Sequence, residues 1–296
     1  MESFDFKQGL QSNKLLGQRC SMVKWIIILC LIARAAQANW FEQWGCGMPT
    51  ASAVAWTPSQ LLANMVFWLD ASDSSTITLT NNYLLSWADK SMNGHNATQS
   101  NYSIKPLYNP TNFNGKGTFY FQSAQIASLA FPATAGTNDW TIVVCYDQLN
   151  NASYRYLFTA NNNLVLSHCD DDSNVRGPSY YSSSQWHPSA PADRPFSAAG
   201  KQVITYVLKS SPANTSEIHK NGSTIFTNLQ YVKTEMFTNV QIGYASYGPY
   251  ANIAEIICIK EAQSSVIVSK LEGYLHWKWG IQLNLATNHP YYGAAP

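Results

Sequence analysis

Charge is what this sequence has least of. Only 12% of its 296 residues are Asp, Glu, Lys or Arg, against roughly 25% in an average globular protein. Eighteen basic residues nearly cancel seventeen acidic ones, leaving a net charge of +1. With no basic excess, nothing drives binding to a phosphate backbone, which argues against a nucleic-acid partner. The scarcity of Glu, Lys and Arg also removes the usual exposed helix formers and argues against a helical bundle. Catalytic signatures are missing too. The chain has no G-x-S-x-G elbow, no H-E-x-x-H helix and no G-x-x-x-x-G-K-S/T loop, so the local patterns of three common chemistries are excluded. No two Cys stand as C-x-x-C, which argues against a structural zinc site.

What is present is apolar and aromatic: 46% and 13% of the chain. That is enough to build a large core and excludes disorder. The polar surface must come from Asn, Ser, Thr, Gln and Tyr, as in extracellular β-rich domains. The length allows one large β domain or two small ones.

Residues 1–38 read as a secretory signal with an unusual polar extension. Trp25 to Ala33 is a nine-residue apolar run, preceded by Lys24 and followed by Ala36 and Ala38 at small-x-small spacing. A basic flank, a short apolar core and a small-residue exit define such a signal. The run is too short for a bilayer, which needs about 20 apolar residues, so no membrane span is expected after cleavage at Ala38. A start at Met22 gives a more conventional signal. Residues 39–55 read as a linker and 56–296 as the domain. Removal of 1–38 takes away Lys7, Lys14, Arg19, Lys24 and Arg34 against Glu2 and Asp5, so the mature chain is mildly acidic. Of six Cys, Cys20 and Cys30 leave with this segment. Cys46, Cys145, Cys169 and Cys258 then permit two disulfides in any of three connectivities. Cys145 and Cys258 lie in apolar runs and read equally well as buried thiols.

The mature chain reads as short strands between turns. Met65 to Leu69, Thr118 to Gln122, Trp140 to Tyr146, Tyr154 to Thr159, Leu164 to Ser167, Gln202 to Leu208, Val240 to Tyr244 and Ile253 to Ile259 are strand-like. Trp140 to Tyr146 is apolar nearly throughout, as a strand buried on both faces would be. Asn221-Gly222 between two strand-like runs marks a hairpin, because both residues tolerate positive φ. The pattern predicts an all-β antiparallel sandwich. One helix is expected over Ser265 to Trp279. Ile267, Leu271, Tyr274 and Leu275 make its apolar face, Ser264 or Ser265 its cap and Gly280 its end. Gly273 within it is expected to allow close packing on a sheet. Residues 177–195 read as a long surface loop.

Two stretches carry a family resemblance. The first is Phe67-Trp68-Leu69-Asp70-Ala71-Ser72-Asp73 with Ser86-Trp87-Ala88-Asp89-Lys90-Ser91-Met92-Asn93-Gly94-His95-Asn96-Ala97-Thr98. The second is Ile253 to Ile257 with Leu271-Glu272-Gly273-Tyr274-Leu275-His276-Trp277-Lys278-Trp279-Gly280 and His289-Pro290-Tyr291. Together they resemble concanavalin A-like jelly-roll domains of the laminin-G-like type, in the lectin/glucanase superfamily. Such domains occur in exported bacterial, phage and large-virus proteins. The resemblance spans Trp56 to Pro296 and implies a two-sheet antiparallel jelly roll with one C-terminal helix. It implies no single function. The family's first Gly in its S-G-N-G turn is Met92 here, so a different turn is expected if that position needs positive φ. Independently of the family, Trp68 and Trp87 read as core anchors. Asp70, Asp73 and Asp89 read as turn acceptors. Trp277 and Trp279 point apart on the helix, one toward the sheet and one toward the tail at His289 to Tyr291.

The six Glu of the mature chain, Glu42, Glu217, Glu235, Glu255, Glu261 and Glu272, form no E-x-D-x-E pattern, which argues against the glucan-cleaving relatives of this fold. The six His are scattered along the chain. Asp170, Asp171 and Asp172 offer oxygen ligands for Ca²⁺. A solvated acidic turn is the competing reading, and no other cofactor is suggested. Five N-x-S/T sequons, at Asn96, Asn101, Asn151, Asn214 and Asn221, are glycosylation acceptors if the host glycosylates. The expected function is a secreted or surface-exposed, non-catalytic binding module for glycans or a surface protein. Its candidate contacts are loop aromatics: Tyr180, Tyr181, Trp186, Tyr247 and Tyr250. The alternatives are a structural component of a phage, virus or cell-surface assembly, and a glycoside hydrolase with dispersed acids.

Overall fold

The computed structural model describes residues 55–122, 125–129, 139–149, 155–160, 164–169, 178–182, 184–188, 199–231, 240–244 and 246–296. The chain divides into Met1–Val54 and Ala55–Pro296, and only the second unit falls within the described residues. The expected signal and most of the expected linker lie outside them. So do Cys46, Asn151 and Asp170 to Asp172.

Among the described residues, seventeen strands precede one α-helix. Their pairings are all antiparallel and form one connected ladder. Its middle is β8 (Trp140–Gln148) beside β17 (Ala251–Ile259). Outward from β8 follow β13 (Gly200–Leu208), β14 (Ser216–Lys220) and β15 (Ser223–Leu229). The other edge of β17 is shared by β1 (Met65–Asp70) and β6 (Lys116–Phe121). β6 pairs with β5 (Leu107–Phe113), which touches β3 (Tyr83–Trp87) at Leu107 opposite Tyr83. β3 takes β2 (Ile77–Thr80) on one side and β4 (Ala97–Thr98) on the other. From β4 the ladder continues through β7 (Ile126–Leu129), β16 (Val240–Gly243), β9 (Arg155–Ala160) and β10 (Leu164–Cys169). It ends with β11 (Ser179–Ser182) and β12 (Gln185–His187).

The two halves of the ladder send side chains into one core. Phe67, Ile142, Val144, Tyr206 and Ile256 come from the β17 half. Trp87, Phe158, Leu166, Tyr180 and Ile242 come from the other. Phe67 stacks on Phe158 with centroids 6.1 Å apart. A second apolar layer covers the opposite face of β8 and β17. There Val143, Cys145 and Ile257 meet Leu271 and Leu275 of the helix α1 (Ser265–Lys278) and its C-cap residue Trp279. This double coverage explains the near-continuous apolar sequence of both central strands. Cys145 and Cys258 enter opposite layers and are free thiols, so neither joins the disulfides permitted by cysteine count.

Local chemistry sets the connections. Asn221 and Gly222 have φ of 50° and 77° and close the β14–β15 hairpin, as expected. Gly280 ends α1 with φ of 66°. Ser264 occupies the N-cap position, but its hydroxyl makes no capping bond. Three expectations are corrected. Met92 itself adopts φ of 69°, a left-handed conformation that costs an L-residue about 1–2 kcal/mol through its own Cβ, and its side chain is 86% exposed. Gly273 packs against the C-terminal tail rather than a sheet: a Cβ there would lie 2.7 Å from Tyr291 Cβ. Residues 177–195 are not wholly loop, since β11 and β12 lie inside them.

Candidate functional site: an aromatic cluster at one end of the ladder

Most charged residues of the two sequence motifs turn inward. In β17 the register shifts between Ile253, opposite Tyr146, and Glu255, opposite Cys145. Strict alternation would aim Glu255 into the apolar core with Ile253; the bulge turns it to the helix side instead. There Glu255 is fully buried. It accepts hydrogen bonds from Trp68 Nε1 (2.7 Å), Trp279 Nε1 (2.7 Å) and Lys278 Nζ (2.6 Å). Lys278 also reaches Asp70 (2.7 Å), and Lys90 bridges Asp70 (2.8 Å) and Asp73 (2.9 Å). Burial pushes the Glu255 carboxyl above its ordinary range while Lys278 pulls it back. For Asp70 burial also opposes ionisation, but Lys278 and Lys90 outweigh it and hold its pKa low. The turn roles of the acids hold as well. Asp70 accepts from Ser72 N, Asp73 from Ser75 N, and Asp89 from Ser91 N and Trp68 N. Trp68 and Trp87 are core anchors. Trp279 packs inward, and Trp277 Nε1 donates to the Tyr291 carbonyl (2.8 Å) in the tail.

Three His converge on Glu272: His276 from the next turn of the helix, His219 from β14 and His289 from the tail. His219 Nδ1 lies 3.0 Å from its carboxylate and His289 Nε2 3.5 Å, while His276 Nδ1 bonds its carbonyl at 2.7 Å. His219 Nε2 also meets Glu217 at 3.1 Å. Burial works against the charged form of His219, but Glu272 and Glu217 outweigh it and raise its pKa. Burial likewise opposes ionisation of Glu272, yet its His partners bring it down to about 2. These networks tie the helix and tail to the strands. Among the described residues, no group of three or more His, Cys, Asp or Glu is arranged to hold a metal ion. No helix among them is long and apolar enough to cross a membrane.

The partly exposed aromatics gather elsewhere. Tyr181 of β11 and Trp186 of β12 are directly paired across the hairpin, with rings 5.3 Å apart. Tyr156 of β9 touches Trp186 (5.8 Å), Tyr244 (5.5 Å) and Tyr247 (5.3 Å). Tyr244 and Tyr247 lie parallel within 3°, centroids 6.1 Å apart. The Tyr156 N–H donates to the Tyr247 carbonyl at 3.0 Å, fixing that loop to the strand. All five rings keep some solvent exposure, Tyr247 the most at 39%. No acid belongs to this ring set. The Arg155 guanidinium, from the residue before Tyr156, lies 4.4 Å above the Tyr250 ring.

Three of the five aromatic candidates therefore lie in one cluster. Tyr180 is corrected: it is fully buried in the core, its hydroxyl donating to the Gln230 carbonyl at 2.7 Å. It sits one residue from Tyr181 on a strand, so the two must face opposite ways. Tyr156 and Tyr244 were not anticipated, because both lie in runs read only as strands. Of the sequons, Asn96, Asn101 and Asn214 are exposed and Asn221 is half-buried; Asn96, Asn101 and Asn221 each accept a backbone N–H at Oδ1, from Asp89, Ser103 and Val203.

No protein-family model and no curated protein matches the chain. Solved structures do. Domain 4 of an extracellular GH43 arabinanase from Geobacillus stearothermophilus, in complex with arabinotriose, is 11% identical. The match covers 71% of this chain and 98% of that one, with a TM-score of 0.48. A Trypanosoma rangeli sialidase is 12% identical over 73% of this chain and 33% of its own, with a TM-score of 0.46. Botulinum neurotoxin type C, whose cell entry depends on two ganglioside molecules, is 10% identical over 74% of this chain and 53% of its own, with a TM-score of 0.47.

Proposed function

We propose that the chain is an exported, non-catalytic glycan-binding module of jelly-roll form, and that the cluster of Tyr156, Tyr181, Trp186, Tyr244 and Tyr247 is its contact surface. The observation that carries this is the parallel Tyr244–Tyr247 pair abutting Tyr156 and Trp186, all partly exposed. Flat aromatic faces stack on sugar C–H surfaces while hydroxyls and the indole N–H supply polar bonds. The signal-like segment at 1–38 supports export. The jelly roll is supported by the common core between the two halves of the ladder. A non-catalytic role is supported by the carboxylates themselves. Asp70 and Glu255 share Lys278, and Glu217 and Glu272 share His219. Asp70, Glu255 and Glu272 are buried in these pairs, while Glu217 stays partly exposed.

A glycan array read alongside Trp186 fluorescence tests this. Binding is expected with wild type and is expected to fall at least tenfold in Trp186→Ala and Tyr247→Ala, with melting unchanged. No hits from protein that melts cooperatively would overturn the proposal, as would turnover of the bound glycan.

A further inference from the structure

A second outward surface, away from the cluster, is lined by hydroxyls, one amide and one Leu. In the β2–β3 pair Thr78 opposes Ser86 but Leu79 opposes Leu84, so Leu85 is an extra residue. This bulge keeps Leu84 and Trp87 in the core and turns both Leu85 and Ser86 outward. Leu85, Ser86, Thr98, Gln99, Ser100 and Ser128 line a groove of about 370 Å³, within the usual range for small-ligand sites. The lining carries no charge. Gln99 is fixed, its Nε2 donating to the Ile126 carbonyl (3.0 Å) and its Oε1 accepting from the Asn101 N–H (3.0 Å). Beside the groove, Tyr83 meets Tyr102 edge-on at 5.1 Å, and Tyr102 is 55% exposed.

Ser86, Thr98 and Ser128 oppose one another in a single cross-strand row. Directly opposed residues share a face. The row continues through Gln241, Thr159 and Val165 to Tyr181 and Trp186. Groove and aromatic cluster therefore share one face of the ladder, five strand spacings apart from Thr98 to Tyr181. At about 4.8 Å per strand that is about 24 Å. Thr159 and Val165 between them are buried, so the two are separate patches.

We propose that this groove binds a neutral sugar ring and is a second contact point for the same glycan chain that the aromatic cluster holds, an inference that rests on the glycan-binding reading above. An exposed Leu85 side chain beside a row of hydroxyls fits a polyol's alternating C–H and O–H surface. An uncharged lining offers nothing to a phosphate or carboxylate. Two contacts on one polymer raise avidity through effective concentration, without any new contact.

Amide NMR of the 55–296 unit in its full chain tests this, with glucose, galactose, xylose, arabinose and N-acetylglucosamine as probes. At least one sugar is expected to shift Leu85, Thr98, Gln99 and Ser128 saturably. The shift should weaken about tenfold when Ser86→Ala, Thr98→Ala and Ser128→Ala are combined, as expected for about 1.4 kcal/mol of lost hydrogen bonding. Ser100→Arg, at an exposed position, should abolish it without unfolding the chain. Trp186→Ala should leave it intact. Groove amides that stay still with every sugar, or move equally in both groove variants, would overturn this inference. If array binding is then still lost in Trp186→Ala, the aromatic-cluster reading stands alone.

Discussion

Replacing Glu255 by Gln keeps the shape of a fully buried side chain and removes its charge. Neither orientation of the new amide works. Its NH₂ would face either the Trp68 N–H, or Lys278 and the Trp279 N–H. Breaking a buried ion pair by removing one partner costs about 3–5 kcal/mol. Here Lys278 keeps Asp70 at 2.7 Å and is 17% exposed, so the lower end applies, about 3 kcal/mol. For a domain of this size that lowers Tm by roughly 6–12 °C. Denaturant unfolding followed by tryptophan fluorescence measures it directly. A double-mutant cycle with Trp279→Phe isolates the shared bond, and a non-additive coupling is expected because the two groups touch. A Glu255→Gln cost below about 1 kcal/mol would refute the reasoning. It would mean that Glu255 is a spectator rather than the residue that fastens the helix to the sheet.

The His219 network predicts a pH dependence of opposite sign at its two ends. His219 has a raised pKa, so the stability it contributes is full below its unfolded value of 6.5 and fades as pH rises through the folded value; His219→Asn should flatten that alkaline slope in denaturant titrations. Glu272 is lowered to about 2, so its contribution is full above its unfolded value of 4.5 and is lost as pH falls toward 2. Gly273→Ala should cost about 1–3 kcal/mol through overpacking against Tyr291. Faster hydrogen exchange confined to residues 286–296 would show that the tail yields rather than the helix.

Much of the fold was legible because it follows from local chemistry. Asn221-Gly222 must turn, Trp140 to Tyr146 must be covered on both faces, and Leu271 with Leu275 must face a core. The core role of Trp68 and the turn-acceptor roles of Asp70, Asp73 and Asp89 were legible for the same reason. What sequence hid was partnership at long range. Glu255 and Trp68 are 187 residues apart, and only the β1–β17 pairing brings them together. The bulge that aims Glu255 leaves only a faint local mark: in Ile253-Ala254-Glu255-Ile256 strict alternation would put the charge on the same face as Ile253. Tyr180 and Tyr181 show the finer limit. Reading 177–195 as loop removed the period-two rule that separates them. The stretch S-Y-Y-S and Q-W-H, one on each side of Ser183-Ser184, held that period and could have revealed the hairpin.

The sparse charge of this chain acquires a different meaning once it is located. Asp70, Glu255 and Glu272 are almost wholly buried, and Lys90, Lys278 and His219 are turned toward them. A good part of the small ionic complement therefore works inside the fold, holding the helix and tail to the strands. The outer surface is poorer in charge than the composition alone implies. Such a surface gains little from long-range attraction, and its contacts must come from direct touch. The two patches that the face of the ladder offers are aromatic at one end and hydroxyl-lined at the other, and among the described residues neither is lined by a carboxylate. Raising the ionic strength should therefore leave the affinity of a neutral glycan unchanged, because an uncharged ligand makes no charge pair for salt to screen.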